Sequence, residues 1–156
     1  MTPAIREAER ARVTHRVLSY AHDPAAPAYG PEAAAALGLD PAHVFKTLVV
    51  AIDGGAKLAV AIVPVARQLD LKAMADALGA KRVAMADVAL AEKTTGYVAG
   101  GISPLGQRKR LPTVLDASAE PLAEVFVSAG RRGLEIALAP ADLVRLAAAT
   151  VAPIAR

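Results

Sequence analysis

The chain contains no cysteine and no tryptophan, and its only aromatics are two phenylalanines and three tyrosines. Without cysteine it can form no disulfide, no thiolate nucleophile and no cysteine-ligated metal centre. Histidine is scarce too: His15, His22 and His43 fit none of the zinc or metalloprotease spacings, so no metal site is expected. No apolar run approaches the roughly 20 residues that cross a bilayer, and the N-terminus lacks a basic segment followed by an apolar one. A cytoplasmic protein with no membrane association is therefore expected. None of Ser19, Ser103, Ser118 and Ser128 stands in a Gly-x-Ser-x-Gly elbow, which disfavours a serine hydrolase. The glycine-rich stretch has neither a Gly-Lys-Ser/Thr ending nor a dinucleotide fingerprint, so ATP and NAD chemistry are disfavoured and no cofactor is expected.

What the chain does have is hydrophobic material, 54% of its 156 residues, enough for the core of one domain spanning residues 1–156. Its 18 basic and 15 acidic residues leave a formal charge of +3, which permits an anionic partner without demanding one. Thr95–Asp116, TGYVAGGISPLGQRKRLPTVLD, concentrates the chemistry. Gly100, Gly101 and Gly106 let backbone approach a ligand, and Arg108, Lys109 and Arg110 follow at once. Two readings of GGISPLG stand side by side, a plain turn between strands or a wall of backbone N–H groups facing a developing oxyanion. The basic run likewise reads as a solvated charge cluster or as a phosphate contact.

Periodicity and punctuation mark out the elements. Thr2-Pro3 starts a helix that Ala4–Arg12 continues, Arg16–Tyr20 is extended, 22–30 is an irregular loop, and Pro31–Leu37 is a helix closed by Gly38. Val44–Ile52 and Lys57–Pro64 are apolar strands flanking the hairpin signal Asp53-Gly54-Gly55. Asp70 and Asp87 cap helices ending at Gly79 and about Lys93. Strands Thr113–Leu115, Glu124–Ser128 and Leu134–Leu138 follow, the last two joined by 130–133, and Pro140–Ala149 is the final helix. Regular βαβα alternation is missing, so the spacing predicts an α+β fold: a single compact domain with a mixed, largely antiparallel, barrel-like sheet surrounded by helices.

The segments DPAHVFKTLVV, GYVAGGISPLGQRKRLPTVLD and VSAGRRGLEIAL resemble the YbaK branch of the YbaK/prolyl-tRNA synthetase editing-domain superfamily, which deacylates mischarged tRNA. YAHDP around Tyr20 and PVARQLDLKAMADALGAKRVAMAD extend the resemblance over essentially the whole chain. It implies trans-editing of Cys-tRNA(Pro), and of Cys-tRNA(Cys), as a carboxylic-ester hydrolase or lyase-type enzyme serving translation fidelity. Lys46 matches the family's lysine and would hold a phosphate or the terminal adenosine of the acceptor end, while Gly100, Gly101, Ile102, Ser103 and Pro104 match its GxxxP loop, with the Gly101 N–H near the ester carbonyl. Tyr20, Tyr29 and Ser128 fall at pocket positions, and Glu135 stands where relatives often carry aspartate. Arg108, Lys109 and Arg110 would contact tRNA phosphate, and Tyr20, Tyr29 and Tyr97 are the candidates for base stacking.

The resemblance also suggests a mechanism that needs no protein nucleophile. The thiol of a cysteinyl ester attacks its own carbonyl, giving a cyclic thiolactone and free tRNA, while the protein positions the ester and stabilises the oxyanion. Two alternatives stand beside it: a deacylase of Ala-tRNA or another small aminoacyl-tRNA that uses water, and a non-catalytic tRNA- or synthetase-binding module. Prolyl-tRNA synthetase is expected as a transient partner.

Overall fold

The central strand is Leu58–Pro64, LAVAIVP, in which every residue is buried. Successive side chains on a strand point to opposite faces. Accordingly Leu58, Val60 and Ile62 enter one apolar cluster while Ala59, Ala61 and Val63 enter another, so this strand is covered on both sides. In chain order the computed structural model, which describes residues 1–26 and 29–156 apart from the Tyr29 side chain, contains α1 (Pro3–Ala11), β1 (His15–Ser19), α2 (Tyr29–Leu37), β2 (Phe45–Ile52), β3 (Leu58–Pro64), α3 (Leu71–Leu78), β4 (Val83–Met85), α4 (Val88–Thr95), β5 (Thr113–Asp116), a 3₁₀ turn (Ala117–Ala119), β6 (Val125–Arg131), β7 (Leu134–Leu138), α5 (Pro140–Ala147) and β8 (Thr150–Ala152).

Local chemistry explains the boundaries. Asp70 and Asp87 accept hydrogen bonds from Ala73 N (3.0 Å) and Leu90 N (3.0 Å), capping α3 and α4, which end on left-handed Gly79 and Gly96. Asp53 and Gly54 both take positive φ, 53° and 70°, and Gly55 N donates to Ile52 O, the geometry of a type I′ turn. Three sequence expectations need correction. The helix expected from Pro31 begins at Tyr29. The last helix stops at Ala147, because Ala148 turns left-handed (φ 51°) and sends Thr150–Ala152 into the sheet as β8. Val83–Met85, which carried no strand signal, pairs with Val50–Ile52 as β4.

The fold is α+β, with two sheets: β1-β7-β6, wholly antiparallel, and β4-β2-β3-β5-β8, in which β3–β5 and β5–β8 run parallel. Antiparallel pairs predominate, as expected, and the sheets approach barrel form without closing into one. They touch where Val44, just before β2, bridges to Phe126 on β6, with Phe126 N donating to His43 O (3.0 Å). The larger cluster lies between the sheets and under α1 and α5, with Phe45, Val60, Leu115, Val127 and Ile136 among its members. Met74 of α3 packs on the opposite face of the five-stranded sheet. Beyond Val44 the two sheets separate, and the opening between them is where the polar residues collect.

Candidate active site

On its outer edge β2 pairs with β4 only over Val50–Ile52 and meets β6 at the Val44–Phe126 bridge, so no ladder among the described residues runs along that edge over Phe45–Val49. The cavity beside that edge, about 440 Å³ in volume, is lined by Lys46, Thr47, Tyr20, Gly100, Ile102, Ser128 and Glu135 among others. Residues from β2, the end of β1, the glycine loop and the β6–β7 pair thus reach one space although up to 115 positions separate them in sequence: Tyr20 at one extreme, Glu135 at the other.

Lys46 and Glu135 share this cavity without an ion pair between them. Burial alone lowers the Lys46 pKa, since desolvation penalises the ammonium. Burial also pushes Glu135, 6% exposed, up to about 8. At neutral pH Glu135 therefore holds its proton and Lys46 supplies the charge of the site. Tyr20 is half-buried and its pKa is raised, first by desolvation and in part by Glu135. Ser128 sits directly opposite Glu135 in the β6–β7 register, but no hydrogen bond links the two side chains; its Oγ accepts from Gly130 N (3.2 Å). A serine so placed has no base drawing its proton away.

The glycine loop is held from several sides. Ala99 N donates to Glu92 (2.6 Å), Tyr97 Oη to Leu105 O (2.6 Å) and Gly106 N to Glu7. Gly101 N donates to Val98 O (2.9 Å), so the amide expected near the ester carbonyl is already engaged. Gly100 and Ile102 line the cavity, and neither amide has an acceptor among the described residues. They are the loop amides left available to an acceptor in the cavity. Gly100 has φ +90°, which a side chain would strain.

The remaining expected residues stand elsewhere. Gly101, Ser103 and Pro104 are buried behind the cavity wall; Ser103 Oγ accepts from Leu105 N (3.2 Å), and Gly101 packs against the Arg131 backbone. Arg108, Lys109 and Arg110 line a different cleft. Tyr97, expected as a stacking platform, is buried, with its hydroxyl spent on Leu105 O. The Tyr29 side chain lies outside the described residues.

Thr47 was missed by sequence reasoning. Among the described residues its Oγ1 is the one buried side-chain polar atom without a hydrogen-bond partner, and it lines the cavity. Its backbone faces the same outer edge. Val60 N donates away from β2, to Pro112 O, so Val49 opposite it must aim its own backbone groups outward, and Ala86 N indeed donates to Val49 O. Two residues earlier Thr47 has the same orientation, where no strand meets it. The only signal in sequence is a hydroxyl inside an apolar strand, which β-propensity alone explains.

Comparison with known proteins bears on this arrangement. The model of the aminoacyl-tRNA editing domain matches residues 23–146. The Enterococcus faecalis protein EbsC, named "Putative Cys-tRNA(Pro)/Cys-tRNA(Cys) deacylase", is 42% identical over 113 residues, covering 72% of this chain and 68% of that one. A crystal structure described as a "putative trans-editing enzyme for prolyl tRNA synthetase" superposes with TM-score 0.82 at 25% identity, over 100% of this chain and 99% of the other. That of a hypothetical protein, 24% identical over 99% and 100% of the two chains, gives 0.87 and shows the fold alone. With the family model spanning most of its length, the chain belongs to the aminoacyl-tRNA editing-domain family.

Proposed function

We propose that this protein is a trans-editing aminoacyl-tRNA deacylase that removes cysteine from Cys-tRNA(Pro), and from Cys-tRNA(Cys), in the cytoplasm. The observation that carries the reading is the content of the cavity: among the described residues one cation, Lys46, and two unengaged loop amides, Gly100 and Ile102, with no histidine in its walls. Such a set can hold a phosphate or the terminal ribose and stabilise an oxyanion, but it offers no activated nucleophile. The substrate supplies one. Its thiol sulfur bonds to the ester carbonyl, the oxyanion forms against Gly100 and Ile102, and the carbon–oxygen bond to the terminal ribose breaks. The ribose oxygen leaves with the proton the thiol gave up, and a cyclic thiolactone remains. The protein contributes proximity, which converts a weakly reactive pair into a positioned one. Thr47 and Tyr20 orient the aminoacyl group from the open β2 edge and the end of β1. Prolyl-tRNA synthetase, the source of the mischarged species, is the partner this role implies.

Purified protein incubated with Cys-tRNA(Pro), Ser-tRNA and Ala-tRNA tests the reading directly. Cysteine is expected to be released and the other two esters to persist. Equal cleavage of the seryl ester would remove the thiol mechanism. Release of alanine alone would identify a water-using sibling, and binding without any turnover would make the protein a non-catalytic module.

A further inference from the structure

Helix α4 divides two cavities. Its residues Val88 and Ala91, one turn apart on one face, line the active-site cavity, while Leu90, Lys93 and Thr94, on the opposite face, line a second cleft of about 700 Å³. This second cleft gathers Lys57 from the residue before β3, Lys93 from the last turn of α4, and Arg108, Lys109 and Arg110 from the segment entering β5. No aspartate or glutamate lines it, in a chain with 15 acids to 18 bases, and none of the five cations forms an ion pair with a carboxylate among the described residues. The placement is built. Arg108 N donates to Thr95 O (2.8 Å) at the C-terminus of α4, and the Arg108 stem lies over Gly96, where an added Cβ would stand 3.4 Å from it. Arg110 Nη1 donates to Leu146 O (3.3 Å), and all five cations are exposed to solvent.

Segregated cations cost self-repulsion that no carboxylate among the described residues offsets here. An extended polyanion removes that repulsion, and guanidinium and ammonium groups in one groove match a row of phosphates. We propose that this cleft is the docking groove for the phosphodiester backbone of the RNA substrate, seating the acceptor stem on one face of α4 while its aminoacylated end enters the cavity on the other. The inference rests on the deacylase reading for the identity of the RNA. It moves Arg108 and Lys109 away from the reacting ester and makes them determinants of affinity alone.

Fluorescence anisotropy with uncharged tRNA across a salt series provides the test and requires no turnover. Arg108→Gln/Lys109→Gln should weaken binding about tenfold near 0.1 M salt and flatten the log–log salt dependence by about 2. Arg10→Gln/Lys72→Gln, which removes the same charge from α1 and α3 outside every cavity described, should leave both unchanged. Equal weakening by the two pairs would reduce the effect to net charge and overturn the groove, as would unaltered binding in the first pair or no binding of tRNA by the unsubstituted protein. Unfolding midpoints equal to that of the unsubstituted protein exclude a folding defect in these exposed positions. A protein that binds tRNA through the cleft yet releases no amino acid leaves this inference standing and removes the deacylase reading; efficient deacylation with binding indifferent to Arg108 and Lys109 does the reverse.

Discussion

Glu135 lines the cavity from near the start of β7, 6% exposed, and desolvation raises its pKa from 4.5 to about 8. An acid whose folded-state pKa lies above its unfolded value binds its proton more tightly when folded. Its stabilising contribution is therefore complete below the unfolded value and is lost as pH rises through the folded one. Between about pH 5 and 8 the unfolded chain is ionised here while the folded chain is not, so this residue makes stability fall with pH by up to about 1.4 kcal/mol per unit. In Glu135→Gln that slope disappears. Urea denaturation of both proteins at pH 5, 6.5 and 8 should show their stabilities diverging in favour of the variant as pH rises; parallel curves would mean that the carboxyl is solvated. The residue type at 135 was legible in the sequence through the resemblance, but its protonation was not, because burial is decided by β6 and the loop that cover it. Thr47 was less legible still. Its significance comes from the missing neighbour on the β2 edge, which no local pattern encodes.

At the scale of elements, the capped helices and the type I′ hairpin were readable because their signals are local: Asp70, Asp87 and Asp53-Gly54 act on the backbone within three residues. Strands β4 and β8 were not, being three residues each and defined by a partner rather than by their own sequence. The glycine loop shows the same division. Gly100 and Gly101 look alike in sequence and do different work. Gly100 is required by its backbone angle, whereas Gly101 is required by contact: a Cβ there would lie 2.6 Å from Arg131 Cα and 3.0 Å from Arg132 N. Those are main-chain atoms of the β6–β7 turn and cannot swing aside. Gly101→Ala must displace the loop or the turn, with an overpacking cost of about 1–3 kcal/mol and a shift of Ile102 away from the ester. The expected result is a lower denaturation midpoint together with a reduced deacylation rate. A variant with unchanged stability would show that the loop and the turn separate at little cost.

Over the whole molecule, the site exists because two sheets meet at Val44–Phe126 and then part, leaving a strand edge, a glycine loop and a buried carboxyl around one gap. Recognition of RNA sequence by such a molecule is limited by what it can offer to bases. Single-stranded RNA is read largely by stacking on aromatic side chains and by hydrogen bonds to base edges. Here Phe126 and Tyr97 are buried away from the cavity and Phe45 lines it while only 2% exposed, which leaves Tyr20 as the half-exposed described aromatic of the cavity. In the groove proposed above, the cations would meet phosphates, which every tRNA presents alike. Each good base-edge contact is worth about 1–3 kcal/mol of discrimination, and the cavity around the ester end has room to reward few of them. Cysteine carried by tRNA(Pro) and by tRNA(Cys) should therefore be released by the isolated protein with kcat/KM values within about tenfold of each other. Single-turnover deacylation of the two charged tRNAs under one set of conditions decides the point. A preference of about a hundredfold would require more base-specific contacts than Tyr20 and the cavity walls offer among the described residues, whereas near-equality leaves the choice of tRNA to a step outside this protein.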